Sequence, residues 1–233
     1  MNEFVAIDIE TTGLNPREDK IIEIGAVLVR EGKVVDSFSS FVNPRMSIPS
    51  QITRLTGITN EMIAKEKTIE VVIHEFYDFI GDYVLLGHNI LFDYSFIKIA
   101  LLQEGLEFQR MGIDTLEISR ILHKDLESRS LERMCDFYGI KQKAKHRAYE
   151  DAFSAANLYL ELKKHANATA EILAPKQLFY KVKKREPITL RQKNYLLDLL
   201  KYHKIGIEQP LDQLSKSEAS RIIDKIILQY GRR

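Results

Sequence analysis

Phe4-Val5-Ala6-Ile7-Asp8-Ile9-Glu10-Thr11-Thr12-Gly13 is the stretch on which the reading of this chain turns. Its apolar run is that of a core strand, and it ends on two carboxylates, Asp8 and Glu10. Side chains at i and i+2 share one face of a strand, so the two acids converge on one spot. Holding two carboxylates together away from water is costly unless a cation lies between them. A pair that offers only oxygen suits a hard ion, Mg²⁺ or Mn²⁺. On these residues alone, an acidic strand end facing water, with helix-capping threonines behind it, accounts for the pattern equally well.

Two further segments supply what the pair lacks. Gly87-His88-Asn89-Ile90-Leu91-Phe92-Asp93 follows the apolar run Val84-Leu85-Leu86, which places Asp93 just past a second strand, where a helix begins. His146-Arg147-Ala148-Tyr149-Glu150-Asp151-Ala152 opens another helix, whose inward face is traced by Ala152, Ala155, Ala156 and Leu160 and includes Asp151. Five helical residues turn the chain about 140° beyond a full revolution, so His146 cannot share that face within regular helix. His146 is therefore expected in the loop or first turn before the helix, reaching the acids from the solvent side. Held in that way it suits a general base better than a ligand.

The order Asp-x-Glu, Asn-x-x-Phe-Asp and His-x-x-x-x-Asp resembles the DEDD exonucleases. It is closest to their histidine-bearing branch, which includes the proofreading subunits and domains of bacterial DNA polymerase III. Ile9-Glu10-Thr11-Thr12-Gly13-Leu14, Leu55-Thr56-Gly57-Ile58-Thr59 and Ile113-Asp114-Thr115-Leu116 carry the same resemblance, which covers roughly residues 1–165. One departure stands out: Arg129 precedes Ser130-Leu131, where the family has a histidine or tyrosine.

The resemblance implies metal-dependent 3′ to 5′ hydrolysis of DNA to nucleoside 5′-monophosphates. Asp8 would bridge two Mg²⁺ or Mn²⁺ ions, with Glu10, Asp93 and Asp151 completing their shells. One ion would acidify a water, His146 would take its proton, and the second ion would stabilise the leaving 3′ oxygen. Thr11, Thr12, Leu14, Asn89 and Phe92 would contact the substrate; taken alone, Leu14 and Phe92 are as easily core residues. An exoribonuclease of the same family, and a nucleic-acid-binding or docking module with a silent site, remain as alternatives. The intact acids argue against the silent module.

Plainer readings fit the other candidates. Asp114 with Glu117 reads as a helix cap, and His88 as a hydrogen-bonded strand-end residue. His74, His123, His165 and His203 show no partner spacing. Cys135, the only cysteine, is expected as a small buried hydrophobe, and its solitude excludes an intramolecular disulfide framework.

Charge divides the chain. From Lys176 onward there are 14 Lys and Arg against 6 Asp and Glu, a net +8, whereas the first 175 residues hold 20 against 27, a net −7. Residues 1–165 are read as the exonuclease domain, 166–186 as a basic linker or helix and 187–233 as a small helical domain that binds nucleic acid or a partner. Lys181, Lys183, Lys184 and Arg185, with Pro187 beyond, mark the linker, and Phe179 and Tyr180 beside them could stack on bases. Thr189 with Gln192 and Ser215 with Glu218 form capping-box patterns ahead of two apolar stripes, expected to pack as a helical hairpin. Gln177-Leu178-Phe179 faintly resembles a sliding-clamp-binding peptide. No stretch reads as a polymerase, so proofreading would require a DNA polymerase as partner.

No apolar run approaches the ~18 residues of a membrane span, and the acidic start leads straight into a strand, so a cytoplasmic protein is expected. The coarse pattern gives strands near 3–10, 21–30, 34–42, 84–88 and 112–114, with Gly32 turning the second and third into an antiparallel hairpin. Helices are expected near 49–56, 68–81, 93–104, 115–122, 130–138 and 147–164. The fold class is thus α/β, a mixed β-sheet flanked by helices with a small C-terminal helical unit. The resemblance implies that the sheet is ribonuclease H-like.

Overall fold

The quoted run forms β1 (Glu3–Thr11), and the strands around it are β2 (Ile21–Arg30), β3 (Lys33–Phe41), β4 (Leu85–Gly87), β5 (Met111–Asp114) and β6 (Lys176–Gln177). In this computed structural model, which describes residues 3–142, 146–166, 170–182, 186–207 and 210–232, they make one mixed sheet in the order β3-β2-β1-β4-β5-β6. β1 pairs antiparallel with β2 and parallel with β4. Glu31 (φ 48°) and Gly32 (φ 74°) form the two-residue turn between Arg30 and Lys33, the left-handed pair that matches the twist of a hairpin.

Both faces of β1 are covered, which explains its unbroken apolar run. Val5, Ile7 and Ile9 pack with Val72, Phe76, Tyr94 and Ile97 from the helices that follow. Those helices are α1 (Ser50–Thr56), α2 (Asn60–Ile63), α3 (Ile69–Ile80) and α4 (Ile90–Gln103), and α3 and α4 form this layer. Phe4 and Ala6 point the other way, against α5 (Thr115–Leu122), α6 (Leu131–Tyr138) and α7 (Ala148–His165), through Ile118, Met134, Ala155, Ala156 and Tyr159.

α7 lies so close on β2 that a Cβ at Gly25 would sit 2.1 Å from the backbone nitrogen of Tyr149 and 2.2 Å from the carbonyl carbon of Ala148. That glycine sets the height of the helix carrying Asp151.

Among the described strands and α-helices, two are absent from the sequence pattern. α2 is four residues long, and β6 only two, too short for either period to register. β6 pairs with β5, and Leu178 buries itself against Gly112. Of the clamp-peptide resemblance, Gln177 and Leu178 are built into the sheet edge, whereas Phe179 is exposed. α4 also begins three residues earlier than expected, because Asn89 takes a left-handed conformation (φ 75°) that starts the helix at Ile90.

The chain divides into two compact units, Met1–Tyr180 and Lys181–Arg233, so the first runs past residue 165. The basic residues Lys183, Lys184 and Arg185 lie outside the described residues. The second unit holds α8 (Leu190–His203) and α9 (Lys216–Tyr230), each opening with a complete capping box.

The two helices do not form a hairpin. Ile188 donates to the Leu214 carbonyl and Gln192 to the Lys216 carbonyl (2.9 and 2.8 Å), while His203 and Tyr230 stack 5.6 Å apart at the other ends. Helices that share both starts and finishes run parallel. The connection from 204 to 215 carries the chain back along the whole helix, whereas an antiparallel hairpin needs only 2–5 residues.

Gly25→Ala is expected to destabilise the protein by at least about 3 kcal/mol, because the clash falls on helix backbone and no side chain can yield. A denaturant melt that shifts by less than about 1 kcal/mol would show that α7 can lift.

Candidate active site

β4 is short. It pairs with β1 only at Val5 and Ala6, then turns away at His88 toward α4. Beyond that point the edge of β1 lacks a strand partner, and the Ile9 amide donates to Asp93 Oδ1 (3.0 Å). Asp93, on the first turn of α4, thus reaches around the end of the sheet to the opposite layer. Asp8 and Glu10 continue the Phe4/Ala6 face, which α7 covers, and Asp151 sits 9% exposed on the first turn of that helix.

His146 precedes α7 in a left-handed conformation (φ 56°) and is exposed, as its spacing predicts. Glu10, His146 and Asp151 each present one donor atom within 4.8 Å of the others. The imidazole therefore stands within the reach of a shared cation, closer in than a purely peripheral base.

Asp8, Glu10, Asn89, Phe92, Asp93, His146 and Asp151 line one cleft of about 270 Å³. His88, Ser130, Leu131, Glu132 and Gln142 complete its wall. Three expected substrate contacts are not in this lining. Thr11 Oγ1 donates to the Gly13 carbonyl (2.6 Å), and Thr12 Oγ1 accepts from the Lys20 amide (2.9 Å), so both hydroxyls are spent on folding their own loop. Leu14 stands 84% exposed at that loop's tip, not in the core.

The alternative explanations hold for the neighbours. Asp114 caps α5 by accepting from the Leu116 and Glu117 amides, and also accepts from the Asn89 amide at 3.0 Å. Glu117 does not reciprocate and instead pairs with Lys176. His88 bonds Thr115 Oγ1 and donates to the Arg129 carbonyl (2.9 and 2.7 Å). Arg129 turns away from the cleft, its guanidinium donating to the His123 and Lys124 carbonyls. Cys135 is fully buried, and burial pushes its thiol up to about 12.

One structural pair went unread in the sequence. Glu23, the cross-strand partner of Glu10, is buried and accepts two-pronged hydrogen bonds from Arg147 (2.9–3.2 Å), as well as the Ala148 amide at 3.1 Å. Arg147 also lies over the Phe41 ring at 5.0 Å. Glu23 thereby caps α7 from another element, and Arg147 fixes the residue next to His146. The signal was there: Glu23 is a lone charge in the apolar run Ile21-Ile22-Glu23-Ile24.

Crowding shows in the titration of the acids. Burial, then Asp93, Asp151, Glu10 and Glu23, hold Asp8 well above the usual carboxylate range. Burial likewise raises Asp93, against the opposing amide bonds. Glu10 is pushed up to about 8 by burial, Asp151 and Glu23, and Asp151 to about 6 by burial, with His146 pulling it down. Four acids plus one imidazole, short of positive charge, are a donor set suited to hard divalent cations.

Because Glu10 and Asp151 bind protons more tightly folded than unfolded, their contribution favours the folded state most below their ordinary values of 4.5 and 3.8. It is lost as pH rises through about 6 and then about 8. In chelator, the melting temperature is expected to fall between pH 5 and 8, and Mn²⁺ or Mg²⁺ to raise it more at pH 8 than at pH 5. Equal metal-induced shifts at both pH values in thermal melts would remove these carboxylates as the binding groups.

A protein-family model described as Exonuclease (RNase_T) matches residues 5–159. A DNA polymerase III PolC-type from Caldanaerobacter subterraneus subsp. tengcongensis is 44% identical over 160 residues, 69% of this chain and 11% of that protein. The 3′-5′ exonuclease DinG of Bacillus subtilis is 37% identical over 161 residues, 68% of this chain and 17% of that one. The chain thus spans only a small part of the length of these curated relatives. Among solved structures, Exonuclease X in complex with 5′ overhanging duplex DNA superposes with a TM-score of 0.61 at 28% identity, covering 73% of this chain and 97% of that one. E. coli Exonuclease I in complex with a dT13 oligonucleotide gives 0.66 at 16% identity over 73% and 43%, a likeness of ribonuclease H-like fold alone. With a family match across most of its length and a sheet of the same kind, this chain belongs to the exonuclease family.

Proposed function

We propose that the protein removes nucleotides one at a time from the 3′ end of DNA and releases nucleoside 5′-monophosphates. The observation that carries this reading is the convergence of Asp8, Glu10, Asp93 and Asp151, with His146, on one cleft. A phosphodiester is an anion, and a bare quartet of carboxylates would repel it. Two divalent ions, Mg²⁺ or Mn²⁺, would reverse the sign of the site, acidify the attacking water and offset charge growing on the leaving oxygen.

The chain's own groups divide the remaining work. Asp8, on which Glu10, Asp93 and Asp151 all act, would hold both ions, and Asp93 is kept in position by the Ile9 amide. An imidazole nitrogen of His146 takes the water's proton as the water oxygen bonds to phosphorus. The P–O3′ bond then breaks, and the 3′ oxygen is protonated from solvent. His146 is exposed, so it can pass its proton to bulk water. Asn89 and Phe92 on the cleft wall orient the terminal nucleotide, and Leu14 is free to meet its base.

The reading of DNA as substrate is supported by a DNA polymerase among the sequence relatives and by Exonuclease X in complex with duplex DNA, while a 3′-exonuclease that recognises a histone mRNA stem-loop shares the fold. The polymerase relative supports proofreading beside a DNA polymerase.

His146→Ala is expected to slow cleavage by about 10² to 10⁴ while sparing metal binding, and Asp8→Ala to be slower still because it unseats both ions. The assay is 5′-labelled single-stranded DNA and matched RNA with Mg²⁺. A DNA ladder lost in Asp8→Ala supports the proposal, an RNA-only ladder turns it toward exoribonuclease action, and no ladder ends it. Unimpaired turnover by His146→Ala would remove that residue from the mechanism.

A further inference from the structure

The second unit lies beyond residue 159, where the family match ends, and its basic composition has no role in the proposed chemistry. Within the unit the cations are unevenly used. Near the helix starts, Lys193 pairs with Asp212 and Lys216 with Glu186, while Arg191 is exposed and forms no ion pair among the described residues. Near the helix ends, Lys201, Lys204 and Arg232 are exposed, and among the described residues they form no ion pair.

Aromatic rings gather at that same end, because parallel helices finish together. His203 packs edge-on against Tyr202 (centroids 4.9 Å, 89°) and, tilted, against Tyr230 (5.6 Å, 35°). Burial is incomplete where a folded core would demand it: Tyr202 is 61% exposed and Tyr230 48%. The rings hold one another in place yet leave their outer surfaces to water. Exposed, immobilised aromatics flanked by lysines are the elements of a single-strand binding platform, in which bases stack and cations follow the phosphates.

The field at helix C-termini opposes an anion by roughly half a charge per helix, about one in total. Three cations exceed it. The acids on the two helices nearest in sequence, Asp198 and Asp224, lie a turn or more back from the ring cluster.

We propose that the shared end of α8 and α9 binds single-stranded nucleic acid, stacking bases on Tyr202 and Tyr230 and drawing the backbone with Lys201, Lys204 and Arg232. The inference rests on the exonuclease reading for its choice of ligand, and it gives the second unit a role, which is to retain a strand.

The test uses the full chain in chelator, where binding is read without cleavage. Fluorescence anisotropy is measured with labelled dT20 and rU20, the two arms separating DNA from RNA as the source of the strand. Tyr202→Ala with Tyr230→Ala is expected to weaken binding at least fivefold, and Tyr202→Phe with Tyr230→Phe to leave it within twofold. Lys201→Gln with Lys204→Gln should lower the slope of log affinity against log salt by about 1.4. Metal-dependent hydrolysis of the p-nitrophenyl ester of thymidine 5′-monophosphate, a single nucleotide with no strand to retain, should be unchanged in all three.

Undiminished oligonucleotide binding in the double alanine variant, or equal loss in the double phenylalanine variant, overturns the platform. Failure of the unaltered chain to hydrolyse the ester counts against the exonuclease reading alone, since anisotropy needs no catalysis.

Discussion

Mutual repulsion among four carboxylates is the constraint around which the first unit is organised. Asp8 and Glu10 come from one strand, Asp93 from the start of one helix and Asp151 from the start of another, so no local segment could relax the crowding by itself. Each acid is kept in place by something other than its neighbours in the cluster. The shortness of β4 exposes the Ile9 amide that holds Asp93, and the absence of a side chain at Gly25 lets α7 sit low enough to deliver Asp151. Burial first, and then that imposed proximity, raises the carboxyl pKa values of Asp8 and Glu10.

The Glu23–Arg147 pair matters for the same reason. Like charges opposite one another across a sheet are unfavourable, and Glu10 faces Glu23. Pairing Glu23 with Arg147 offsets part of that conflict and at once ties down the backbone beside His146. A left-handed φ at a non-glycine residue is held only by surroundings that over-determine it. The ion pair, the amide cap at Ala148 and the close approach at Gly25 together supply such surroundings.

Much of this was legible in the sequence, and the failures have physical causes. The two-residue period put Asp8 and Glu10 on one face, and the helical angle put His146 before α7, because both inferences depend only on local geometry. Capping residues marked Thr189 and Ser215 correctly for the same reason. Where the hydroxyls of Thr11 and Thr12 send their hydrogen bonds was not legible, because a hydroxyl in a motif does not name its partner. Glu23 was missed because its partner lies 124 residues away, beyond any window. The parallel course of α8 and α9 escaped because amphipathic stripes specify which face is buried and not which direction the chain returns.

The two residues of β6 carry a consequence out of proportion to their length. By pairing with β5 they cover an open row of amides and carbonyls that a second chain could otherwise join. A fragment ended at residue 165, where the motifs stop, would lose that cover and also strip Leu178 from Gly112. Such a truncation would retain every acid of the cleft and yet be prone to edge-to-edge self-association, so the solubility of a trimmed nuclease is governed by a segment that contributes nothing to its chemistry.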